Sequence, residues 1–171
     1  MADSAPVPAP PLRAEPLQRL LFAGVYGTVL ASATASALGH ESGPADPGYD
    51  ALWVLLTALA AAAAHGFAHA LAHRTAHGGT ATLSTVRSVV QEWPLLAAVV
   101  PTLAALAGSY WGWWSENGGI DAALGINTAA LFGWGLWSAR LADRNWFASC
   151  RAGAVDMLLG LLIVLANALS K

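Results

Sequence analysis

The chain has 171 residues, of which 56% are hydrophobic and only 11% are charged. A soluble domain ordinarily carries about 25% charged residues, so this composition argues against a water-soluble globule and favours a membrane protein with several helical spans. A net charge of −2 provides no basic surface for nucleic acid. The single cysteine, Cys150, excludes an intramolecular disulfide and any zinc site built from cysteines.

The chain begins with a segment rich in proline and alanine that has no apolar periodicity. Repeated proline removes backbone donors and blocks helix formation, so residues 1–16 are predicted to be a flexible tail and residues 17–171 the membrane domain. Residues 17–38 also fit the template of a secretory signal peptide. We expect them instead to be retained as a membrane span.

Five apolar segments of 22 to 24 residues follow the tail. A bilayer core of ~30 Å needs ~20 helical residues at a rise of 1.5 Å each, so every segment is long enough to span. The sequence therefore predicts an all-α bundle of five transmembrane helices. The predicted spans are residues 17–38, 51–73, 93–114, 120–141 and 147–170.

The basic residues predict the orientation of these spans. Seven of the eight lie before span one, between spans two and three, or around the join of spans four and five: Arg13, Arg19, Arg74, Arg87, Arg140, Arg144 and Arg151. The other two loops carry acidic residues and no lysine or arginine. By the positive-inside rule the N-terminus is therefore predicted to be cytoplasmic.

Small residues recur at every fourth position of span one, and a similar stripe follows span five. Small side chains let helices approach closely in lipid, where the hydrophobic effect does not drive their association. The pattern fits either packing within one subunit or an interface in a homo-oligomer. The residues predicted to pack in this way are Gly24, Gly27, Ala31, Gly153 and Gly160.

Span two contains the segment AHGFAHALAHRTAH, in which His65, His69, His73 and His77 are each four residues apart. Four residues advance a helix by ~400°, so the first three share one face, while His77 is predicted to lie in the following loop. A row of imidazoles can relay or sense protons near neutral pH, and His65 with His69 forms a possible metal-binding pair. The alternative is a structural role, with hydrogen bonds to a neighbouring helix or to lipid headgroups.

Three acidic residues, Glu92, Asp143 and Asp156, are predicted to share a leaflet with these histidines. A carboxylate within the membrane indicates a functional site, although an ion pair with a nearby arginine is the structural alternative. The predicted path for protons or small cations consists of His65, His69, Glu92 and Asp156. The chain lacks the HExxH and P-loop signatures, and we expect no enzymatic activity.

Three segments carry a resemblance to known sequences: AHGFAHALAHR in span two, EWPLLAA at the start of span three and FGWG in span four. Together they resemble a family of small polytopic integral membrane proteins from high-GC actinobacteria. The resemblance covers most of the membrane region and implies no activity and no cofactor.

The sequence as a whole favours a multi-pass protein of the cell membrane, in contact with the lipid bilayer. We expect a channel, transporter or sensor linked to protons or small cations, working as a single bundle or as a homo-oligomer. The alternative is a non-transporting accessory subunit that stabilises or recruits a partner protein.

The arginine asymmetry yields a topology prediction. Because residues 40–50 and 115–119 form the loops without basic residues, cysteines placed at Ser42 and Ser115 should react with an impermeant reagent added outside the cell. A cysteine at Gly79 should remain unlabelled. Strong labelling at Gly79 from outside would reverse the orientation.

Overall fold

The structure is a computed structural model that describes residues 14–40, 46–77, 86 and 88–170, without the side chains of residues 14, 15 and 73–77. These residues form an all-helical bundle with no strand in the described ranges. Five long helices are present: α1 Ala14–Leu38, α2 Pro47–His77, α3 Trp93–Tyr110, α4 Glu116–Leu141 and α5 Trp146–Leu169.

Several helix boundaries differ from the predicted ones; α2 and α4, for example, begin at Pro47 and Glu116 rather than near residues 51 and 120. Helix α1 begins at Ala14, inside the segment predicted as a tail, whose residues 1–13 lie outside the described part. Helix α2 continues through His77, which was predicted to lie in a loop. Helix α3 ends at Tyr110 rather than near residue 114, because the chain turns at Gly112, whose positive φ of 76° suits glycine.

Local capping fixes the starts of the last two helices. The Ser115 side chain accepts a hydrogen bond from the Gly118 N–H at the start of α4. The Asn145 side chain accepts one from the Ala148 N–H at the start of α5. Serine and asparagine are favoured at this position because they satisfy backbone donors that the first helical turn leaves free.

The helices alternate in direction. Short connections at residues 111–115 and 142–145 place α4 antiparallel to both α3 and α5. Along α1 the contacts with α4 also run in opposite order: Trp134 lies against Gly24, Asn127 against Ser32 and Ile120 against Gly39. We call the end where α1, α3 and α5 begin the N-terminal end of the bundle, and the opposite end the far end.

Four of the helical segments are long and apolar enough to cross a membrane: Pro16–Leu38, Pro47–Ala72, Ser88–Tyr110 and Trp146–Leu169. Helix α4 has a comparable length but does not reach the same apolar character. Its sequence includes Asp121, Asn127 and Thr128, which lower its hydropathy. Within the described residues, four helices rather than five are therefore long and apolar enough to cross a membrane.

Small residues bring α1 into close contact with its neighbours inside the bundle. A Cβ added at Gly27 would lie 2.8 Å from the Leu95 carbonyl oxygen of α3 and 2.9 Å from the Ala98 Cβ. Ala31 is 1% exposed, and a Cβ at Gly24 would lie 2.6 Å from the indole of Trp134. Gly24, Gly27 and Ala31 thus pack against other helices of the same chain.

The stripe on α5 packs in the same way against α4. A Cβ at Gly153 would lie 2.6 Å from the Phe132 carbonyl oxygen, and one at Gly160 would lie 2.7 Å from the Thr128 hydroxyl. Backbone and side chain of one helix therefore fill the space that glycine leaves on the other. This is the way in which helices associate closely in lipid.

A leucine at Gly27 should destabilise the bundle, because it would push α1 away from the α3 backbone. Overpacking a tight contact costs about 1–3 kcal/mol, so Gly27→Leu should lower the melting temperature of the purified protein. Gly125→Leu is the matched control, since a Cβ at Gly125 would meet nothing within 4 Å. Equal melting temperatures for the two variants would contradict the packing of α1 on α3.

Candidate functional site

His69 and Glu92 come together at the junction of α2 and α3. The His69 Nε2 lies 4.0 Å from the Glu92 Oε1. The glutamate side chain is only 7% exposed, whereas that of the histidine is 46% exposed. This separation is too long for a direct hydrogen bond but suits a charge pair or a bridging water. The pair is ionic only when the imidazole is protonated, so its charge depends on a proton.

Gly66 makes this approach possible, and it lies within the histidine segment itself. A Cβ at Gly66 would lie 2.5 Å from the Val89 Cα, so the backbone of α2 lies directly against the residues that precede α3. Three residues later on α2, His69 reaches Glu92. The glycine in AHGFAH therefore indicates this contact, a signal that the spacing of the histidines alone does not give.

The start of α1 also contacts the segment that leads into α3. The Arg19 Nη1 donates a hydrogen bond of 2.7 Å to the Gln91 Oε1. Gln91 immediately precedes Glu92. The Arg19 guanidinium, which is always positively charged, is therefore bonded to the neighbour of the buried carboxylate. Three helices thus meet at the N-terminal end of the bundle around His69 and Glu92.

His65 lies one helical turn before His69 but has different neighbours. Its ring meets the rings of Phe22 and Tyr26 on α1 edge to face, with centroids 5.3 and 5.0 Å apart. The two histidines share a helix face, as their spacing predicts, but they contact different elements. His65 is therefore an aromatic contact between α1 and α2.

Asp156 lies apart from both histidines. It packs over Gly135 of α4, where a Cβ would lie 2.5 Å from its Oδ2, and it lines a cavity of about 450 Å³ together with Tyr26 and Trp134. Helix α1 lies between α2 and α5, so Phe22 and Tyr26 separate His65 from Asp156. Of the four residues predicted to form one path, the structure brings together His69 and Glu92 and places the other two elsewhere.

The predicted metal pair has no third ligand in the described part of the chain. No group of three histidine, cysteine, aspartate or glutamate residues there could hold an ion. Two imidazoles alone leave the coordination of a zinc ion incomplete. The side chains of His73 and His77 lie outside the described residues.

A polar cluster lies at the centre of the bundle. The Asn127 Nδ2 donates hydrogen bonds of 2.9 Å to the Ser32 Oγ and 2.7 Å to the Thr102 Oγ1, which joins α4 to α1 and α3. Asn127 is fully buried, and its Oδ1 accepts no hydrogen bond within the described structure. In the sequence, serines and threonines at every fourth position of α1 indicate a polar contact on that face. The pattern is hard to recognise because small residues without polar side chains share the face.

A second polar contact joins α1 to α5 at the far end. The Ser36 Oγ donates to the Asn167 Oδ1 at 3.1 Å, and the His40 ring lies between the backbone carbonyl oxygens of Ser36 and Asn167, at 2.5 and 3.3 Å. Both oxygens only accept, so a neutral imidazole, which has one N–H, can donate to only one of them. His40 thus links two helix C-termini.

No family model, curated protein or solved structure matches this chain. The actinobacterial resemblance therefore stays a prediction.

Removing the Asn127 amide should destabilise the protein. Hydrogen bonds between membrane helices contribute about 0.6 kcal/mol on average and up to about 1.7 kcal/mol, so Asn127→Ala should cost about 1–2 kcal/mol in unfolding by a denaturing detergent. Thr102→Val should cost less in the Asn127→Ala background than in the wild type, because the two share a bond. Asn117→Ala, on the exposed first turn of α4, is the control. Additive effects would argue against the cluster.

Proposed function

We propose that this chain is a multi-pass protein of the cell membrane that binds protons at the His69–Glu92 pair and works as a proton-linked channel, transporter or sensor. The observation that carries the proposal is the combination of a 7% exposed carboxylate with an imidazole 4.0 Å away. Both residues belong to helical segments apolar enough to cross a membrane or lie at their ends. The suitability of the helices for a membrane does not depend on this pair.

The chemistry follows from the cost of burying charge. An isolated carboxylate out of water is unfavourable, and a protonated His69 would supply the positive charge that the buried Glu92 side chain lacks. The more exposed histidine would give that proton a route to the surroundings. The same geometry suits transfer along a path or a change of conformation with pH.

We infer that α4 also crosses the membrane, which makes five spans. Helices α3 and α5 run in the same direction, and α4 is the only segment between them. If both cross the bilayer in one direction, the chain must return through it in between. At 1.5 Å per residue the 26 residues of α4 extend about 39 Å, enough for that return. The hydrogen bonds of Asn127 reduce the cost of its polar side chain within the membrane.

The arginine distribution supports a cytoplasmic N-terminus. On this orientation the N-terminal end of the bundle, with His69 and Glu92, faces the cytoplasm. A proton-binding pair at that end would respond to the pH of the cell interior.

The proposed function can be tested with purified protein reconstituted in liposomes. In liposomes that contain a pH-sensitive dye, the wild type should show proton flux, or a pH-dependent change in tryptophan fluorescence if it is a sensor. His69→Gln and Glu92→Gln should each remove most of that response, and the double variant should lose no more than either one, because the residues act as a unit. Glu116→Gln, a carboxylate on the first turn of α4, is the control.

Two outcomes would count against the proposal. An unchanged response in both single variants would show that the pair does not bind the relevant proton. No response in the wild type, together with stable copurification of another membrane protein, would favour the accessory-subunit alternative.

A further inference from the structure

We propose that the cavity beside Asp156 binds a lipophilic organic cation. The cavity measures about 450 Å³ and is an open cleft lined by α1, α4 and α5. That volume lies within the ~300–1,000 Å³ typical of small-molecule sites. Its lining residues include Leu21, Phe22, Tyr26, Trp134, Asp156 and Leu159. This site goes beyond the His69–Glu92 pair and does not depend on it.

The charge of the site comes from Asp156. The residue lies ten positions into α5, or about 15 Å from the start of that helix at 1.5 Å per residue. Its carboxylate makes no hydrogen bond or ion pair with any side chain that the structure describes. A carboxylate at that depth is costly without a partner of opposite charge. A bound cation would supply that charge.

Aromatic rings supply the second element of recognition. Phe22 and Tyr26 stack almost parallel, with centroids 5.8 Å apart and an interplanar angle of 6°. Trp134 lines the same cavity and is held against Gly24. Ring faces attract cations through their quadrupole, and tryptophan does so most strongly. Carboxylate and rings together therefore select a cation with an apolar body.

The shape of the site excludes small hydrated ions. Calcium takes six to eight oxygen ligands, and magnesium demands octahedral coordination, whereas a single carboxylate and largely apolar walls are present. Helices α1 and α5 are joined at the far end through Ser36 and Asn167, and the cavity opens between them nearer the N-terminal end. In a membrane that opening faces the lipid, from which an apolar cation can enter.

Two ions of the same shape and opposite charge test the proposal. Tetraphenylphosphonium and tetraphenylborate would be titrated into the full-length protein in zwitterionic nanodiscs, with the partitioning of each ion into empty nanodiscs subtracted. The cation should bind at least tenfold more tightly than the anion. Asp156→Asn keeps the side-chain shape but removes the charge, and should weaken cation binding at least tenfold. Tyr26→Ala should weaken it by less, while Glu116→Gln should leave it unchanged.

The comparison of the two ions in the wild type decides the matter even if a variant fails to fold. Equal affinity for cation and anion would overturn the proposal and indicate an apolar groove that lipid chains occupy. Equal cation affinity in wild type and folded Asp156→Asn would overturn it as well. Proton flux through His69 and Glu92 is measured separately, so loss of one property leaves the other open to test.

Discussion

The close approach of α1 to the rest of the bundle is the constraint on which the structure depends. Helix α1 contacts each of the other four helices, and it does so through alanine, glycine, serine and threonine on its buried faces. In lipid the hydrophobic effect contributes little to such contacts, so dispersion and hydrogen bonding must hold them. Each residue to which we assign function lies on a helix that contacts α1: His69 on α2, Glu92 at the start of α3 and Asp156 on α5.

This constraint also explains how the bundle carries polar groups. The hydroxyls of Thr28 and Ser32 bond to carbonyl oxygens one turn earlier on the same helix, which satisfies their donors without another helix. Ser32 then remains able to accept from Asn127. Polar atoms along α1 are thus largely paired within the protein, as backbone and side chains in a bilayer require. The Asn127 Oδ1 departs from that rule, and so does the Asp156 carboxylate, to which we assign cation binding.

Composition and periodicity predicted the helical class and the approximate extent of each helix, because both follow from local chemistry. Periodicity does not indicate the end of α3, since three aromatic residues continue the apolar pattern past Tyr110 while Gly112 turns the backbone. Spacing correctly places His65 and His69 on one face of α2. It does not say which neighbour each meets, because that depends on how α1 and α3 are arranged around α2. For the same reason the sequence could not separate Asp156 from the histidines.

The contact between α1 and α5 at the far end has a mechanical consequence. The two helices are hydrogen-bonded at this end through Ser36, His40 and Asn167. Nearer the N-terminal end, the cavity lies between them. Asn167 and Asp156 are eleven residues apart on α5, about 16.5 Å at 1.5 Å per residue. A rotation of α5 about Asn167 would therefore displace Asp156 in proportion to that distance. The packing of Gly153 on Phe132 of α4 would have to shift with it, so α4 resists this motion.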